Sequence, residues 1–308
     1  MSIDIIGDVH GQAEKLEALL GRLGYRRTGG AWRHPERRAV FVGDLIDRGP
    51  GQLETLRIVR DMVEAGQARV TLGNHEFNAI AWATRDPGGA GDHLRPRKGE
   101  RGARNRRQHE VFLAAVGEDS ALHDEWIAWF RQLPFWIEEE GLRIVHACWS
   151  PKHVSAIAAH LTREGRITDH LLVEASRAGS DLHTAVEIVL KGPEVDLPEG
   201  HGFSDNYGHV RHSIRTRWWD PGQTRYRGAY IGPPGAEIPD LEIPDYEAPE
   251  PTDRPTFIGH YWMEPEAPKA PLAPRVACVD YSAGRGGPLV AYRFGGEPEL
   301  SAEGFVST

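Results

Sequence analysis

Three short stretches of this 308-residue chain determine the expected fold: Gly7-Asp8-Val9-His10-Gly11, Gly43-Asp44-Leu45-Ile46-Asp47-Arg48-Gly49 and Gly73-Asn74-His75-Glu76. Each follows a short apolar run that is typical of a buried strand, and each precedes a helical pattern. Alternating strands and helices favour a parallel sheet, in which the carboxyl ends of the strands meet at one edge. The three stretches are therefore expected to lie side by side, and their glycines allow the backbone to approach a ligand closely.

The surrounding segments support an α/β core. The strands that precede the three stretches are predicted at residues 3–6, 39–42 and 68–72. Helices are predicted at residues 12–23 and 53–64, from Asn74 onward, and at residues 110–116 and 121–130. Further strands are predicted at residues 141–147, 256–258, 275–279 and 288–294. Residues 85–107 are rich in Gly, Arg and Pro, which favours a solvated loop over a basic surface for an acidic substrate.

One long segment interrupts the strand–helix alternation. It is mostly helical from residue 150 to about 190, loop-rich from 193 onward and proline-rich at residues 231–255, which suits an extended covering segment. We expect a single domain over residues 1–308, with this insert at about residues 150–255 covering the active site.

Composition limits the partners and the compartment. The chain is 40% hydrophobic and carries a formal charge of −9, which argues against nucleic acid as a partner. A small anionic substrate remains compatible, because bound cations can dominate the field of a site. No apolar run of about 18 residues and no basic leader is evident, so we expect no membrane partner and a cytoplasmic location.

The polar side chains at the predicted strand ends suit metal ions. Asp8 and His10 alternate along an extended segment, Asp44 can bridge two ions through its two oxygens, and Asn74 offers a carbonyl oxygen. Two later strands end in histidines, His146 and His260. Mixed imidazole and carboxylate ligands favour manganese, iron, zinc or cobalt over calcium or magnesium alone. Two such ions about 3.5–4 Å apart would share a hydroxide and clamp a phosphoryl group.

Each element alone is weak. Gly and Asp commonly form turns, Asn74 could simply cap a helix, and a single buried histidine is more often structural than a ligand. Five elements in order, each at a strand end, predict a site much more strongly.

These residues resemble the calcineurin-like metallophosphoesterases, in particular their phosphoprotein phosphatase branch, whose pattern is Gly-Asp-X-His-Gly, Gly-Asp-X-X-Asp-Arg-Gly, Gly-Asn-His-Glu and two separated histidines. The resemblance implies a four-layer α/β/β/α sandwich with two metal ions at one edge. It implies that one ion is held by Asp8, His10 and Asp44, and the other by Asp44, Asn74, His146 and His260.

The same resemblance implies roles for four further residues. His75 matches the general acid that protonates the leaving group, and Asp47 matches the carboxylate that orients it. Arg48 matches the phosphate-binding arginine. A second arginine commonly follows a Trp-X-Asp-Pro segment, which here gives Arg227 after Trp218-Trp219-Asp220-Pro221. The arginines that compete with it are Arg215, Arg217 and Arg225.

Two departures leave the substrate open. The chain has Ala147-Cys148-Trp149 where eukaryotic protein phosphatases continue Gly-Gly, and its Val279-Asp280-Tyr281 ending looks more like bacterial protein phosphatases and symmetrical diadenosine tetraphosphatases. Tyr281 could line the site or pack in a loop. Cys148 lacks the Cys-X5-Arg context of a thiol phosphatase, so a packed side chain is expected.

Three functions follow from these observations. The first is hydrolysis of phosphomonoesters, in phosphoproteins or small molecules, by attack of a hydroxide that bridges two divalent transition-metal ions, with manganese favoured and iron, zinc, nickel or cobalt possible. The second is hydrolysis of a dinucleoside polyphosphate. The third, a non-catalytic metal-binding scaffold, is disfavoured because the acid, its carboxylate and the arginine are all present.

Overall fold

A computed structural model of the chain describes residues 2–88, 91–139, 141–204, 209–232, 235–247 and 250–308. The strands, in chain order, are β1 (Ile3–Ile6), β2 (Arg26–Thr28), β3 (Ala31–Arg33), β4 (Arg38–Phe41), β5 (Ala68–Val70), β6 (Trp136–Glu139), β7 (Leu142–Val145), β8 (Glu194–Asp196), β9 (Phe203–Ser204), β10 (Val210–Arg211), β11 (Ser213–Thr216), β12 (Tyr230–Ile231), β13 (Thr256–Ile258), β14 (Val276–Cys278), β15 (Val290–Phe294) and β16 (Phe305–Ser307). The α-helices are α1 (Ala13–Leu23), α2 (Gln52–Glu64), α3 (Asn74–Ala83), α4 (Gly99–Val116), α5 (Ala121–Phe130), α6 (Pro151–Ala158), α7 (Asp169–Ala175), α8 (Asp181–Lys191) and α9 (Tyr226–Ala229). Within the described ranges, no helix has both the length and the apolar character that crossing a membrane requires.

Two sheets form the centre of the molecule. The first has five strands in the order β16-β15-β1-β4-β5, and its β1, β4 and β5 run parallel. The second has four strands in the order β14-β13-β7-β6, and its β7, β13 and β14 run parallel. In both sheets an antiparallel strand adjoins the parallel set, β15 beside β1 and β6 beside β7. The parallel strands of each sheet therefore deliver their carboxyl ends to a common edge.

Alternation along the strands explains why the sheets are covered on both faces. In the first sheet, Ile5 and Val40 join Ile144 and Phe257 of the second sheet in one fully or almost fully buried cluster. The neighbouring residue Ile6 points the other way, into the cluster that includes the leucines of α1. Since successive side chains of a strand face opposite sides, each sheet packs on the other sheet through one face and on helices through its second face. The predicted four-layer α/β/β/α sandwich is confirmed.

The loop prediction for residues 85–107 is wrong in its second half. Helix α4 begins at Gly99 and continues to Val116. Its arginine-rich first turns are largely exposed, whereas Asn105, His109 and Phe112 are buried at helical spacing. The prediction failed because the first half of the helix buries only about one residue per turn, so its sequence lacks a clear apolar periodicity. Residue propensities are a weak guide in such a segment.

The insert at residues 150–255 has more regular structure than expected. Helices α6, α7 and α8 pack together, and the three-stranded sheet β12-β11-β8 follows them. This sheet buries a small cluster of its own, which includes Leu197, Ile214 and Tyr226. Of the proline-rich run at 231–255, residues 233–234 and 248–249 lie outside the described residues.

The contact between the two sheets generates a first prediction. Phe257 of the second sheet is fully buried, and its ring lies 5.1 Å from that of Tyr292 and 5.6 Å from that of Phe294 in the first sheet. Phe257→Ala should lower the free energy of unfolding by about 3–5 kcal/mol, because it opens a cavity between the sheets. Urea denaturation followed by circular dichroism measures the change.

Leu241→Ala provides the matched control, since Leu241 is 48% exposed. Its effect should stay within about 0.5 kcal/mol. Equal losses in the two variants would show that the interface between the sheets does not contribute to stability as described.

Candidate active site

The proposed metal ligands converge at one edge of the two sheets. Asp8 and His10 follow β1, Asp44 follows β4, and Asn74 begins α3 after β5. From the second sheet, His146 and His260 follow β7 and β13. All six side chains are at least nine-tenths buried, with between 0% and 6% of their surface exposed. Six polar or charged side chains in such burial are unfavourable unless they are paired with one another or with a ligand.

The backbone at this edge is strained. Non-glycine residues with positive φ include His10 at 47°, Asp44 at 51°, Asp47 at 71°, Arg48 at 69° and His260 at 69°. The loops also approach each other very closely, since a Cβ at Gly73 would lie 2.3 Å from the backbone nitrogen of Asp44. Backbone strain of this kind persists where the surrounding fold overdetermines it, and it is concentrated at functional sites.

Hydrogen bonds to the backbone orient two of the imidazoles. Nδ1 of His10 lies 2.8 Å from the carbonyl oxygen of Ile46, and Nδ1 of His146 lies 2.7 Å from that of Val42. Each Nδ1–H donates to its carbonyl, which directs Nε2 into the site in the manner of a metal-ligating histidine. Among the described residues, Nε2 of His10 and of His260 has no hydrogen-bond partner although both are buried. Such orphaned nitrogens fit a bound ion.

The Asp44 carboxylate belongs to two clusters of possible ligands. Its Oδ2 lies 3.7 Å from Nε2 of His10, and its Oδ1 lies 3.4 Å from Nε2 of His146. One cluster comprises His10, Asp44 and His75, and the other Asp44, His146 and His260. Within each, the ligand atoms lie within 4.8 Å of one another. Both clusters are compatible with a divalent metal ion, and Asp44 is the residue they share.

Asn74 completes the second cluster. Its Oδ1 lies 3.1 Å from Nε2 of His146 and 2.8 Å from Nδ1 of His260. Burial opposes a charge on His146, but the carboxylates of Asp44 and Asp8 raise its pKa to about 10. A metal ion at this position would displace that proton, since an imidazole must be neutral to bind a metal.

Asp8 is also surrounded by negative charge. Its carboxylate accepts a hydrogen bond from the backbone nitrogen of His260 at 3.1 Å. Burial raises the pKa of Asp8 well above its usual range, and the carboxylates of Asp280 and Asp44 raise it further. A divalent cation would neutralise this concentration of negative charge. Asp280 itself is not among the predicted site residues, since only its neighbour Tyr281 was considered.

Glu76 holds the Asp44 loop in place. Its Oε2 accepts the backbone N–H of Asp44 at 2.9 Å, and its Oε1 accepts that of Leu45 at 2.8 Å. Burial and the Asp44 charge raise the pKa of Glu76 to about 7. Although Glu76 belongs to a stretch quoted at the outset, sequence reasoning assigned it no role. Its place three residues after Gly73, as in a helix capping box, is the signal that could have indicated one.

His75 lies between Asp44 and Asp47. Nδ1 of His75 is 2.5 Å from Oδ2 of Asp47, and Nε2 is 3.8 Å from Oδ2 of Asp44. Burial opposes ionisation of Asp47, but its contacts with His109 and His75 hold its pKa well below the usual range. A carboxylate that stays ionised beside an imidazole fixes the orientation of the ring.

A second histidine contacts the same carboxylate and was missed from sequence. Nδ1 of His109 lies 2.8 Å from Oδ2 of Asp47, and His109 is fully buried. The predicted helix began at residue 110, so His109 was left at its edge. Its spacing from Phe112 and Val116, which form the buried face of α4, is the signal that could have found it.

Arg48 projects from the strained loop toward an aromatic ring. Its guanidinium carbon lies 4.2 Å from the centre of the Trp262 ring, and that of Arg285 lies 3.8 Å from the same ring. Burial, His75 and Arg48 together lower the pKa of His10 to about 3, so the Arg48 charge is felt inside the cluster. Stacking of this kind holds a guanidinium in place while leaving its N–H groups directed outward.

The four remaining candidate arginines are divided by the structure. Arg215 and Arg217 line a cavity of about 1060 Å³ that also includes Tyr261 and Trp262, the two residues after His260. Arg227 is exposed on α9, where its Nε donates to the carbonyl of Ile238 at 3.1 Å. Arg225 pairs with acidic residues on the surface of the insert, Asp240 and Glu242.

Two other residues considered from the sequence are packed. Cys148 is fully buried in the main core, and burial raises the pKa of its thiol. Tyr281 is 1% exposed, and its hydroxyl donates to the carbonyl of Pro268 at 3.4 Å.

Comparison with known proteins gives one family match for this chain. Residues 1–197 match the family described as calcineurin-like phosphoesterase. The chain is 49% identical over 76 residues to the asymmetrical bis(5'-nucleosyl)-tetraphosphatase PrpE of Halalkalibacterium halodurans, covering 24% of this chain and 31% of that protein. It is 32% identical over 166 residues to the symmetrical bis(5'-nucleosyl)-tetraphosphatase of Aromatoleum aromaticum, covering 53% and 50%. The chain thus spans between about a third and a half of the length of these relatives.

Among solved structures, a protein serine/threonine phosphatase from Saccharomyces cerevisiae aligns with a TM-score of 0.46 at 15% identity, covering 100% of this chain and 79% of that one. The family match covers β1, β4 and β5 of the first sheet, α1 to α8, and the proposed ligands up to His146. This chain belongs to the calcineurin-like phosphoesterase family.

Proposed function

We propose that this phosphoesterase is a metal-dependent phosphatase that hydrolyses phosphomonoesters, in phosphoproteins or in small molecules. The observation that supports this proposal best is the Asp44 carboxylate, whose two oxygens face two different clusters of imidazoles. When bound there, a pair of divalent transition-metal ions would supply a hydroxide nucleophile and offset the charge of the phosphoryl group. Manganese is our first proposal, and iron, zinc, nickel and cobalt are the alternatives.

The proposed ligands overlap the two clusters without matching them fully. One set takes His10 and Asp44 from the first cluster and adds Asp8, while His75 of that cluster is kept for the acid role. The other set is Asp44, Asn74, His146 and His260. Both sets mix oxygen with nitrogen donors, the combination that suits these transition metals.

His75 is the proposed general acid. Its Nδ1–H is engaged by Asp47, so Nε2 is the atom that would hold the proton for the departing oxygen. Asp47 stays ionised and keeps the ring in this orientation. We add His109 as a positioning residue, because its Nδ1 contacts the same Asp47 oxygen and restricts the carboxylate from a second direction.

Arg48 is the proposed phosphate ligand. A guanidinium can engage two phosphate oxygens at once, and Trp262 would preorganise it for this contact. Arg227 would have to release the Ile238 carbonyl before it could reach the same phosphate. It is therefore the weaker of the two proposals.

Hydrolysis of a dinucleoside polyphosphate is the second candidate. Two observations favour it: the names of the relatives above, and the cavity of about 1060 Å³ beside Tyr261 and Trp262. An insert that covered the site tightly would admit only a compact substrate, whereas a cavity of this size would admit a larger leaving group. A non-catalytic scaffold has no need of the His75–Asp47 pair, which speaks against that alternative.

The acid role predicts a dependence on the leaving group. His75→Ala should lower kcat by about 10²–10⁴ for substrates with basic leaving groups, because these need a proton most. Para-nitrophenyl phosphate, whose leaving group is weakly basic, should be affected least. Asp47→Asn and His109→Ala should steepen the same dependence by smaller amounts. The measurement is kcat across a series of aryl and alkyl phosphates, with metal content determined by elemental analysis.

His170→Ala, a change at an exposed histidine of the insert, serves as the control and should leave the series unchanged. If His75→Ala released metal, or lowered kcat equally for every leaving group, His75 would be a ligand or a structural residue and not the acid.

The phosphate role predicts substrate preference. Wild-type protein with manganese should prefer monoesters over bis-para-nitrophenyl phosphate, because a monoester presents more free oxygens to Arg48. Arg48→Ala should raise KM for monoesters and reduce the preference, whereas Arg48→Lys, which keeps the charge but not the planar fork, should be intermediate. Steady-state kinetics with and without a chelator measure both effects.

A kcat/KM for the diester, or for diadenosine tetraphosphate, well above that of every monoester would replace the first proposal with the second. Activity that survives complete chelation would contradict both.

A further inference from the structure

One face of the insert is unexpectedly basic. Along β11 and the residues beside it, Arg211, Ser213, Arg215 and Arg217 all line the cavity. The alternate residue Ile214 is 1% exposed and belongs to the small core of the insert. The two-residue period of a strand therefore places the apolar side chains inward and the arginines toward the cavity. Two of these arginines also have partners within the insert, since Nε of Arg217 donates to the carbonyl of Tyr230 at 3.0 Å and Nε of Arg215 lies 3.5 Å from Oε1 of Glu194.

The charge of this cavity is opposite to that of the whole chain. Four arginines line it, against two glutamates, Glu194 and Glu264. The formal charge of the chain is −9. A concave wall with one sign of charge concentrates ions of the other sign. The cavity is therefore suited to an anion.

The cavity adjoins the proposed phosphate site through Trp262. Its opposite wall includes Tyr261 and Trp262, which directly follow the ligand His260, and Trp262 carries the Arg48 guanidinium at 4.2 Å. Arg285, which also lines the cavity, lies 3.8 Å from the same ring. Positive groups thus continue from Arg48 past Trp262 and into the cavity. A substrate held at Arg48 by its reacting phosphate would extend its remaining part along this path.

We propose that this cavity binds the leaving group of the substrate, and that this leaving group itself carries phosphate. The proposal rests on the proposed function, since it takes the reacting phosphoryl group to lie at the Asp44 clusters. Hydrolysis breaks one phosphorus–oxygen bond, adds water across it and releases orthophosphate together with the shortened, still phosphorylated product. Arg215 and Arg217 are the specificity-determining residues, and Glu194, which lies 3.5 Å from Arg215, weakens the field that they create.

Tripolyphosphate and para-nitrophenyl phosphate are suitable probes, because only the first has an anionic leaving group with further phosphates. Arg215→Gln should lower kcat/KM for tripolyphosphate about tenfold, the effect of losing one charge-assisted contact, and change that for para-nitrophenyl phosphate less than twofold. Glu194→Gln should act in the opposite direction and raise kcat/KM for tripolyphosphate. Arg177→Ala is the matched control, since this arginine of the insert is 63% exposed and pairs only locally with Glu174.

A second comparison distinguishes the source of the additional phosphate. A sugar bisphosphate should share the dependence on Arg215 if any phosphorylated leaving group is accepted, whereas dependence confined to tripolyphosphate would restrict the site to phosphoanhydride chains. Either result supports the cavity as a phosphate site. Equal effects of Arg215→Gln on all substrates, or no effect on any, would overturn it.

The inference and the proposed function fail in different ways. If the wild-type protein did not hydrolyse para-nitrophenyl phosphate in the presence of metal, the proposed function alone would be contradicted. Calorimetric binding of tripolyphosphate to metal-loaded His75→Ala, compared with the same variant carrying Arg215→Gln, tests the cavity without turnover. Affinities that do not differ between the two would overturn the inference even in an active enzyme.

Discussion

The buried Asp44 carboxylate, with His10 facing one of its oxygens and His146 the other, sets the requirements for the rest of the structure. A charge with 1% exposure must be compensated, and here the compensating groups come from both sheets. Glu76 fixes the loop that carries Asp44 through backbone N–H groups, and the positive φ of Asp44 is tolerated because of these bonds. The same site brings Asp8, Asp44 and Asp280 together, and burial, followed by the charges of Asp280 and Asp44, raises the pKa of Asp8. Divalent ions would relieve that repulsion, and the orphaned nitrogens of His10 and His260 would each be available to one of the two ions.

The sandwich architecture makes this arrangement possible. Each sheet contributes only part of the ligand set, so the site depends on the packing of Ile5 and Val40 against Ile144 and Phe257, which lie two to four residues before the proposed ligands along the chain. The proposed acid, His75, lies on a helix that begins at the same edge, and α4 packs His109 against Asp47. The geometry of the site therefore depends on the packing of the core. Because Asp44 follows a strand of the first sheet and His146 a strand of the second, a shift of one sheet against the other would separate these two residues.

The position of most proposed ligands could be predicted from the sequence because each motif follows a strand. Parallel strands bring their carboxyl ends to one edge of the sheet regardless of the length and conformation of the connections between them. Asp8, Asp44, Asn74, His146 and His260 were placed at one edge on that argument alone, and the structure does bring them together. His109 could not be found in this way, because its role depends on how α4 packs and the basic composition of that segment suggested a loop. The position of Arg227 likewise depends on tertiary contacts within the insert, where the loop-rich composition from residue 193 onward gave no indication of the sheet β12-β11-β8. Strand periodicity in residues 211–217 was the one local signal of the basic cavity wall.

The central claim is that Asp44 joins two metal ions, and an anomalous diffraction experiment on crystals grown with manganese tests it most directly. Two anomalous peaks about 3.5–4 Å apart are expected on either side of the Asp44 carboxylate. One should lie near Asp8 and His10, and the other near Asn74, His146 and His260. In Asp44→Asn both peaks should weaken together, because the shared ligand is altered. A single peak, or two peaks of which neither contacts Asp44, would contradict the account.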